Sequence, residues 1–413
     1  MVAEYGDEDR DVSFILSSLN KSWYTAARPL IYRRITVRRE ERLAELEKYI
    51  QQNPIVAAWI RVLRIDHHFR DKWLLDVPRI LKPILPKLQT IEIGRISHTP
   101  VIHKPTFFHD LSSFDSVHKL IVERVNLEWE FTNALACAFP NLKVLHFRKL
   151  NREHYDLAEK HANMHAALDA AINWQPPPSI PLPILHNPRF EEVIVAPEMS
   201  DYGVRVCGWL KKTETPKSIR TFRYHILSTK DFESLGMFLS EVRSNLQHLH
   251  LSIKDSVTRP SYTCRLFMDP WYQLNKLTGL CHLRLSHPGF MRFFLAHLPS
   301  PLPVEFVTFD ISFKKLEQFK NGENQAVDAR LAGSQFPELR RVRFEYSGPV
   351  EYDAVWAKIR KVYKKLCERE VVVLVKGNVI RIHVNPHRYL RIRSSRIHSQ
   401  PSSSTPLSIV LLL

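Results

Sequence analysis

The chain has 413 residues, of which 44% are hydrophobic and 25% are charged, a composition typical of a globular protein. Lysine and arginine number 59 against 43 acidic residues, and the formal net charge of +16 predicts attraction to acidic proteins, nucleic acid or anionic membranes.

The five cysteines form no C-x-x-C pair, which argues against a disulfide framework or a thiolate zinc site and favours a reducing compartment, the cytoplasm or the nucleus. We expect no membrane segment, because the chain lacks a run of about 18 apolar residues and a signal-peptide core.

A helical stripe occupies residues 13–32. Its apolar residues follow steps of four, four, three and four, the spacing of one face of an amphipathic helix. We expect Pro29 to break this segment into two short helices. The stripe consists of Ile15, Leu19, Trp23, Ala26 and Leu30.

A short apolar pattern then recurs through the chain, with apolar residues at positions i, i+3 and i+5. Leu246, Leu249 and Leu251 are an example, and because residues two apart share one face of a strand, each copy predicts a short half-buried strand. Structural units that recur along a chain at a roughly constant interval stack on one another and share one core, so we expect a solenoid. The alternative is an ordinary α/β domain with repeated amphipathic strands. The ten copies start at Ile60, Leu88, Val117, Leu142, Phe190, Ile219, Leu246, Leu280, Val304 and Leu339.

This pattern resembles an irregular leucine-rich repeat. The resemblance implies an α/β fold, in which a curved, largely parallel sheet carries helices on its convex side. The Asn or Cys that follows the strand in regular repeats is replaced here, for example by Ile96 and Val125, so we expect the polar ladder of the regular family to be absent and apolar packing to replace it. Val371–Val375 and Val379–Val384 read as a hairpin that caps the last repeat.

The N-terminal helical segment resembles the second half of an F-box of the fungal type. Residues 19–23 read L-N-K-S-W and residues 26–35 read A-A-R-P-L-I-Y-R-R-I. The first F-box helix is missing, so the motif is interpreted as truncated. The resemblance implies that Ile15, Leu19, Trp23 and Leu30 dock a Skp-type adaptor of a cullin ubiquitin ligase. A plain helical cap on the repeat core is the alternative.

These readings divide the chain into four parts. We expect a disordered acidic N-terminus at 1–12 and a partial F-box-like segment at 13–45. The repeat solenoid with its cap spans 46–385, and a basic, Ser/Pro-rich disordered tail spans 386–413.

A basic group of side chains is expected on the concave face of the second half of the solenoid. Arginine and histidine on adjacent strands favour carboxylates or phosphates, so we predict that an acidic or phosphorylated protein segment binds between Arg223 and Arg343, more tightly below about pH 6.5 as the histidines charge. A solvated basic face is the alternative. The predicted contact residues are Arg223, His225, His248, His250, His282, Arg284, Arg341 and Arg343.

No catalytic residue and no cofactor are predicted, because the common phosphate-binding, nucleophile-elbow and zinc-protease signatures are absent. His248, His250 and His282 lie close enough for a zinc site, but no carboxylate follows nearby in sequence to support one. The sequence therefore predicts a substrate-recruiting adaptor of an SCF-type ubiquitin ligase. Three alternatives remain: a scaffold without a ligase, a nucleic-acid-binding protein supported by charge alone, and a hydrolase without a recognisable signature.

Overall fold

The computed structural model describes residues 21–66, 72–94, 105–123, 129–148, 186–196, 200–242, 244–253, 277–286, 295, 301–312 and 321–376. Within these ranges twelve strands form one parallel sheet, and each strand pairs with its neighbours in chain order. The predicted α/β repeat architecture is therefore confirmed. The strands are β1 Arg34–Val37, β2 Val62–Asp66, β3 Thr90–Gly94, β4 Lys119–Glu123, β5 Val144–Arg148, β6 Glu192–Ala196, β7 Thr221–Ile226, β8 His248–Ile253, β9 His282–Ser286, β10 Phe306–Ser312, β11 Arg341–Ser347 and β12 Val372–Lys376.

Helices connect most of these strands, as a parallel sheet requires. Two short 3₁₀ helices, Lys72–Leu75 and Thr215–Lys217, lie in the same connections. In the described part of the chain, no helix has the length and apolar content to cross a membrane. The helices are α1 Lys21–Ile31, α2 Glu40–Gln52, α3 Pro54–Ala57, α4 Val77–Leu81, α5 Pro105–Ser112, α6 Trp129–Ala138, α7 Ser200–Leu210, α8 Thr229–Glu241, α9 Asn321–Leu331, α10 Tyr352–Val362 and α11 Lys364–Glu368.

The apolar pattern forms the core between the sheet and the helices. All ten predicted strands are present, as β2 to β11. In β8, Leu249 and Leu251 are buried, and Leu246 enters the same core from the preceding turn. Because strand side chains alternate, the residues between these positions lie on the opposite face of the sheet, here called the strand face.

A backbone hydrogen-bond ladder joins successive repeats where the strands begin. Two consecutive N–H groups of each repeat donate to a single carbonyl oxygen of the repeat before it, at 2.7–3.2 Å. This motif occurs ten times from β2 to β11, so the turns stack in the same register as the strands. The accepting carbonyls belong to Arg33, Arg61, Gln89, His118, Lys143, Glu191, Arg220, Gln247, Cys281 and Glu305.

A side-chain ladder also joins several repeats, at a position different from that of the regular family. The residue just before the first apolar position donates to a backbone carbonyl of the preceding repeat. Ser116 Oγ bonds Leu88 O at 2.7 Å, Asn141 Nδ2 bonds Asp115 O at 2.8 Å, and Ser218 Oγ bonds Phe190 O at 2.8 Å. Asn245 donates in the same way to Lys217 O. This ladder does not test the expected absence of the regular family's ladder, because the positions named for it, Ile96 and Val125, lie outside the described residues.

The sheet extends one strand beyond the predicted repeats at each end. Strand β1 pairs in parallel with β2, and Ile35 and Val37 point into the core. At the other end, β12 pairs in parallel with β11. Val372–Lys376 is thus a further strand of the parallel sheet, while the second half of the predicted hairpin, 379–384, and the tail lie outside the described residues.

Helix α1 continues through Pro29. Proline removes one i→i−4 hydrogen bond, here the one to Thr25, but the helix ends two residues later at Ile31. The expected break into two helices is wrong because the proline lies in the last turn, where little helix remains to be disrupted.

Candidate partner-binding surfaces

Helix α1 presents large apolar side chains away from the core. Trp23 is 48% exposed and Leu30 is 52% exposed. They lie seven residues apart, which places them two turns apart on one side of the helix. Ala27 and Ile31 are buried, and the Arg28 guanidinium lies 5.3 Å from the centre of the Trp59 ring.

The predicted adaptor-docking set is therefore only partly described. Trp23 and Leu30 share an exposed side of α1, whereas Ile15 and Leu19 lie outside the described residues. Tyr24 adds a further aromatic ring, 42% exposed, next to Trp23.

The eight residues predicted to bind a partner lie in three adjacent rows of the strand face. The strand register sets these rows, because residues paired between neighbouring parallel strands line up across the sheet. One row contains His248, His282 and Arg341, the central row contains Arg223, His250, Arg284 and Arg343, and the third contains His225 with Ser252, Ser286, Asp310 and Glu345.

Arg284 is bound by two acidic side chains of the third row. Its Nε and Nη2 contact the two carboxylate oxygens of Asp310 at 2.8 and 2.5 Å, and Nη2 also contacts Glu345 at 2.6 Å. Asp310 accepts a further hydrogen bond from Ser286 at 2.7 Å and lies 3.6 Å from His250. These five residues form what we call the Arg284 cluster.

Contacts within the Arg284 cluster shift the pKa values of Asp310 and Arg284 so that both groups stay charged. Burial raises the pKa of the Asp310 carboxyl, but hydrogen bonds from His250, Arg284 and Ser286 outweigh burial and hold that pKa well below its usual range. Burial lowers the pKa of Arg284, and the bond to Asp310 outweighs that effect and raises it. Arg284 is thus neutralised within the protein rather than presented to a ligand.

The remaining arginines of the strand face differ from Arg284 in their surroundings. Arg343 contacts Glu345 at 2.8 Å. Arg223 and Arg341 are exposed, and their side chains make no ion pair or hydrogen bond with any described residue. The positive charge available to a ligand therefore comes chiefly from these last two residues.

Histidines of the strand face contact hydroxyl groups, and two of their rings pack edge to face. His282 contacts Thr308 at 3.0 Å, His225 contacts Ser252 at 2.7 Å, and the rings of His248 and His282 lie 5.6 Å apart. Burial lowers the pKa of His282, and the nearby His248 and Arg284 lower it further. His282 therefore gains its charge at a lower pH than an unperturbed histidine. Across the ranges that the structure describes, no three His, Cys, Asp or Glu side chains are arranged to hold a metal ion.

A second charge cluster lies on the strand face of the first four strands. Arg64 contacts Asp66 at 3.0 Å, Glu92 at 3.6 Å and Glu123 at 3.5 Å. Arg34 adds a contact to Glu92 at 2.5 Å. This end of the strand face thus balances its charges internally.

His146 lies between the two charge clusters and is only 3% exposed. A guanidinium group carries hydrogen-bond donors and no acceptor atom, so Arg148 must donate to Nδ1 of His146, at 3.1 Å. The other nitrogen, Nε2, then carries the hydrogen and donates to Glu192 at 2.9 Å. Burial, reinforced by Lys119, lowers the pKa of His146 to about 4. The imidazole is therefore a neutral structural link between β5 and β6.

Comparisons with solved structures find proteins of low sequence identity to this chain. No protein-family model matches the sequence, and no curated protein matches it. The leucine-rich repeat-containing protein LegL7 from Legionella pneumophila is 12% identical, with 74% of this chain and 91% of that chain covered and a TM-score of 0.38. A chain of the Rad7 and Elc1 complex from yeast is also 12% identical, with 91% and 99% covered and a TM-score of 0.26. Neither likeness is close enough to support an inference, so the function is argued from the residues of this chain.

Proposed function

We propose that the protein is a repeat scaffold that holds an acidic or phosphorylated protein segment on its strand face and recruits it, through α1, to a Skp-type adaptor of a cullin ubiquitin ligase. The observation that carries this proposal is the exposed side of α1, whose Trp23 and Leu30 lie next to the first repeat. Exposed large apolar side chains on a helix mark docking surfaces. The resemblance of residues 19–35 to half of an F-box supports the identity of the adaptor.

Helix α1 has both buried and exposed apolar residues, which supports a docking role for the exposed ones. Ala27 and Ile31 are buried, whereas Trp23 and Leu30 are each about half exposed, so much of their surface is accessible to another protein. Aromatic anchors of this kind contribute most of the binding energy at many interfaces.

The strand face supplies the proposed surface for the recruited protein. Arg223 and Arg341 lie four strands apart, roughly 19 Å at the usual strand spacing of about 4.8 Å, and their guanidinium groups are not neutralised by described residues. An extended acidic segment crossing β7 to β11 would contact both. Arg284 and Arg343 lie beneath such a segment but are already bonded to acidic side chains.

Co-purification tests the adaptor. We expect the wild-type chain, expressed with a Skp-type adaptor, to recover that adaptor, and Trp23→Ala and Leu30→Ala to reduce the recovery at least tenfold. Met237→Ala is the matched control, because Met237 is an equally exposed apolar residue, 47%, on α8. If the wild-type chain recovers no adaptor, the ligase role is wrong.

A scaffold without a ligase is the second candidate, because the unneutralised arginines of the strand face do not depend on α1. Capture of an acidic or phosphorylated protein partner should be lost in the Arg223→Glu, Arg341→Glu double variant. Trp23→Ala should leave that capture unchanged. Retention of capture by the double variant would remove the strand face from the proposal.

A further inference from the structure

A cleft of about 390 Å³ lies at the edge of the sheet where β5, β6, β7 and β8 begin. Its volume is within the range of small-molecule sites. None of its residues belongs to the strand-face rows or to α1. We call it the edge cleft, and its polar lining consists of Asn141, Lys143, His186, Asn187, Arg189, Glu191, Lys217, Ser218, Arg220 and Asn245.

The repeat ladders build this lining. Lys143, Glu191 and Arg220 are successive rungs of the backbone ladder, so their side chains follow one another along the edge. Asn141, Arg189, Ser218 and Asn245 occupy the position before the first apolar residue in the same four repeats. Two parallel rows of polar side chains, both fixed by hydrogen-bonded turns, therefore border the edge cleft.

The edge cleft is strongly basic. It contains four lysine and arginine residues and one glutamate, a formal charge of +3 with His186 neutral. Lys143 contacts Glu191 at 3.0 Å, and Lys217 contacts Glu214, outside the lining, at 2.8 Å. Arg189 and Arg220 are exposed, and their side chains make no ion pair or hydrogen bond with any residue that the structure describes.

Neutral donors accompany these cations. Asn141 and Asn245 each use one amide hydrogen on a backbone carbonyl of the preceding repeat and retain a second hydrogen. Phe139 of the lining is only 2% exposed and offers no ring for a nucleobase to stack on, so His186 carries the accessible ring of the lining. The chemistry therefore favours a compact anion.

We propose that the edge cleft binds a phosphoryl group, with Arg189 and Arg220 as its principal charged ligands. A guanidinium presents two parallel N–H groups that match two oxygens of a phosphate, and two such groups beside amide donors suit a dianion better than a carboxylate. Free phosphate and a phosphorylated side chain share this chemistry. The site is independent of the proposed adaptor role, because it involves neither α1 nor the strand-face arginines.

Titration calorimetry of the full chain tests the proposal at constant ionic strength, with inorganic phosphate, O-phosphoserine and AMP as separate probes against a chloride background. We expect saturable binding of phosphate, a loss of at least tenfold in affinity in Arg189→Gln and in Arg220→Gln, and no measurable binding in the double variant. Arg39→Gln is the matched control, since Arg39 is an exposed arginine in the connection between β1 and α2. Its affinity should stay within twofold of wild type.

Three results would overturn the site: no saturable binding of any probe, an equal loss in Arg39→Gln, or unchanged binding in the double variant. Melting temperatures of the variants show whether each one is folded. Tighter binding of O-phosphoserine than of phosphate supports a phosphorylated side chain as the natural ligand, and equal binding supports free phosphate. Binding of AMP at least tenfold tighter than both would overturn the exclusion of a nucleotide.

Discussion

The guanidinium of Arg284 on β9 donates two hydrogen bonds to the carboxylate of Asp310 on β10, at 2.8 and 2.5 Å. A bidentate pair of this kind is stronger and more specific than a single contact. The pair crosses from the central row to the third row of the strand face, so it ties β9 to β10 as well as neutralising both charges. A side chain that the sequence identifies as a ligand for a partner is thus also a structural tie.

Arg284→Gln should destabilise the protein more than Arg223→Gln. The first change leaves Asp310 and Glu345 without their cation, and losing one partner of a half-buried charged bond costs about 1–3 kcal/mol. Arg223 has no described partner to lose. Urea denaturation measures both variants. The Arg284→Gln, Asp310→Asn double variant should be less destabilised than the two single effects added together, and strict additivity would contradict the tie.

Stability should fall as the pH drops from 6.5 towards 4, because of His146. Its pKa is lowered to about 4 in the folded protein, below the unfolded value of about 6.5. Between these two pH values the unfolded chain therefore binds a proton at this residue and the folded chain does not. The loss from this residue approaches about 3 kcal/mol at the lower end of that range, at about 1.4 kcal/mol for each pH unit. His146→Gln should flatten the pH dependence of the urea midpoint in this range. His109→Gln, at an exposed position on α5, is the control, and equal behaviour of the two variants would contradict the assignment.

Leu249→Ala and His250→Ala compare the two faces of one strand. Leu249 is buried in the core, and truncation of a buried leucine costs about 2–5 kcal/mol. His250 lies on the strand face, where its Nε2 contacts Ser286 at 3.1 Å, so its loss should cost less. Thermal unfolding compares the two variants. Equal shifts in melting temperature would mean that the face assignment is wrong.

Two glycines should respond to alanine in opposite directions. A Cβ on Gly279 would overlap the backbone carbonyl of Ser244 in the preceding repeat, so Gly279→Ala should destabilise by about 1–3 kcal/mol. A Cβ on Gly208, within α7, meets nothing within 4 Å, and alanine there should stabilise by about 0.5–1 kcal/mol through helix propensity. Urea denaturation of both variants tests the close stacking of the turns. A neutral Gly279→Ala would show that the turns can separate at little cost.

The repeat pattern was sufficient to predict ten strands and their buried positions. The signal is local, because two apolar residues two apart must share a face, and one leading apolar residue places the turn. Strand β1 shows the same signal at Tyr32, Ile35 and Val37, so it could also have been predicted. Strand β12 does not show this signal, because Arg369 stands where the leading apolar residue would be, and the sequence predicted it as a hairpin strand rather than as a repeat.

The rows of the strand face were likewise predictable, since repeats of one pattern align in register. The charges that these rows present were not. Asp310 is 26 residues from Arg284 and Glu345 is 61 residues away, and both belong to a neighbouring row. Opposite charges in adjacent rows are the signal that could have indicated the pairing.

The sequence by itself determined the order of the strands, the face that each side chain takes and the exposed stripe of α1 from Trp23 to Leu30, because these depend on the period of the backbone and on local hydrophobicity. Only the tertiary structure decided which cations are neutralised and which are available. Long charged side chains reach across strands and rows, so their partners depend on how the repeats stack. That stacking binds Arg284 to Asp310 and Glu345, leaves Arg223 and Arg341 exposed, and places both Arg189 and Arg220 in the lining of the edge cleft.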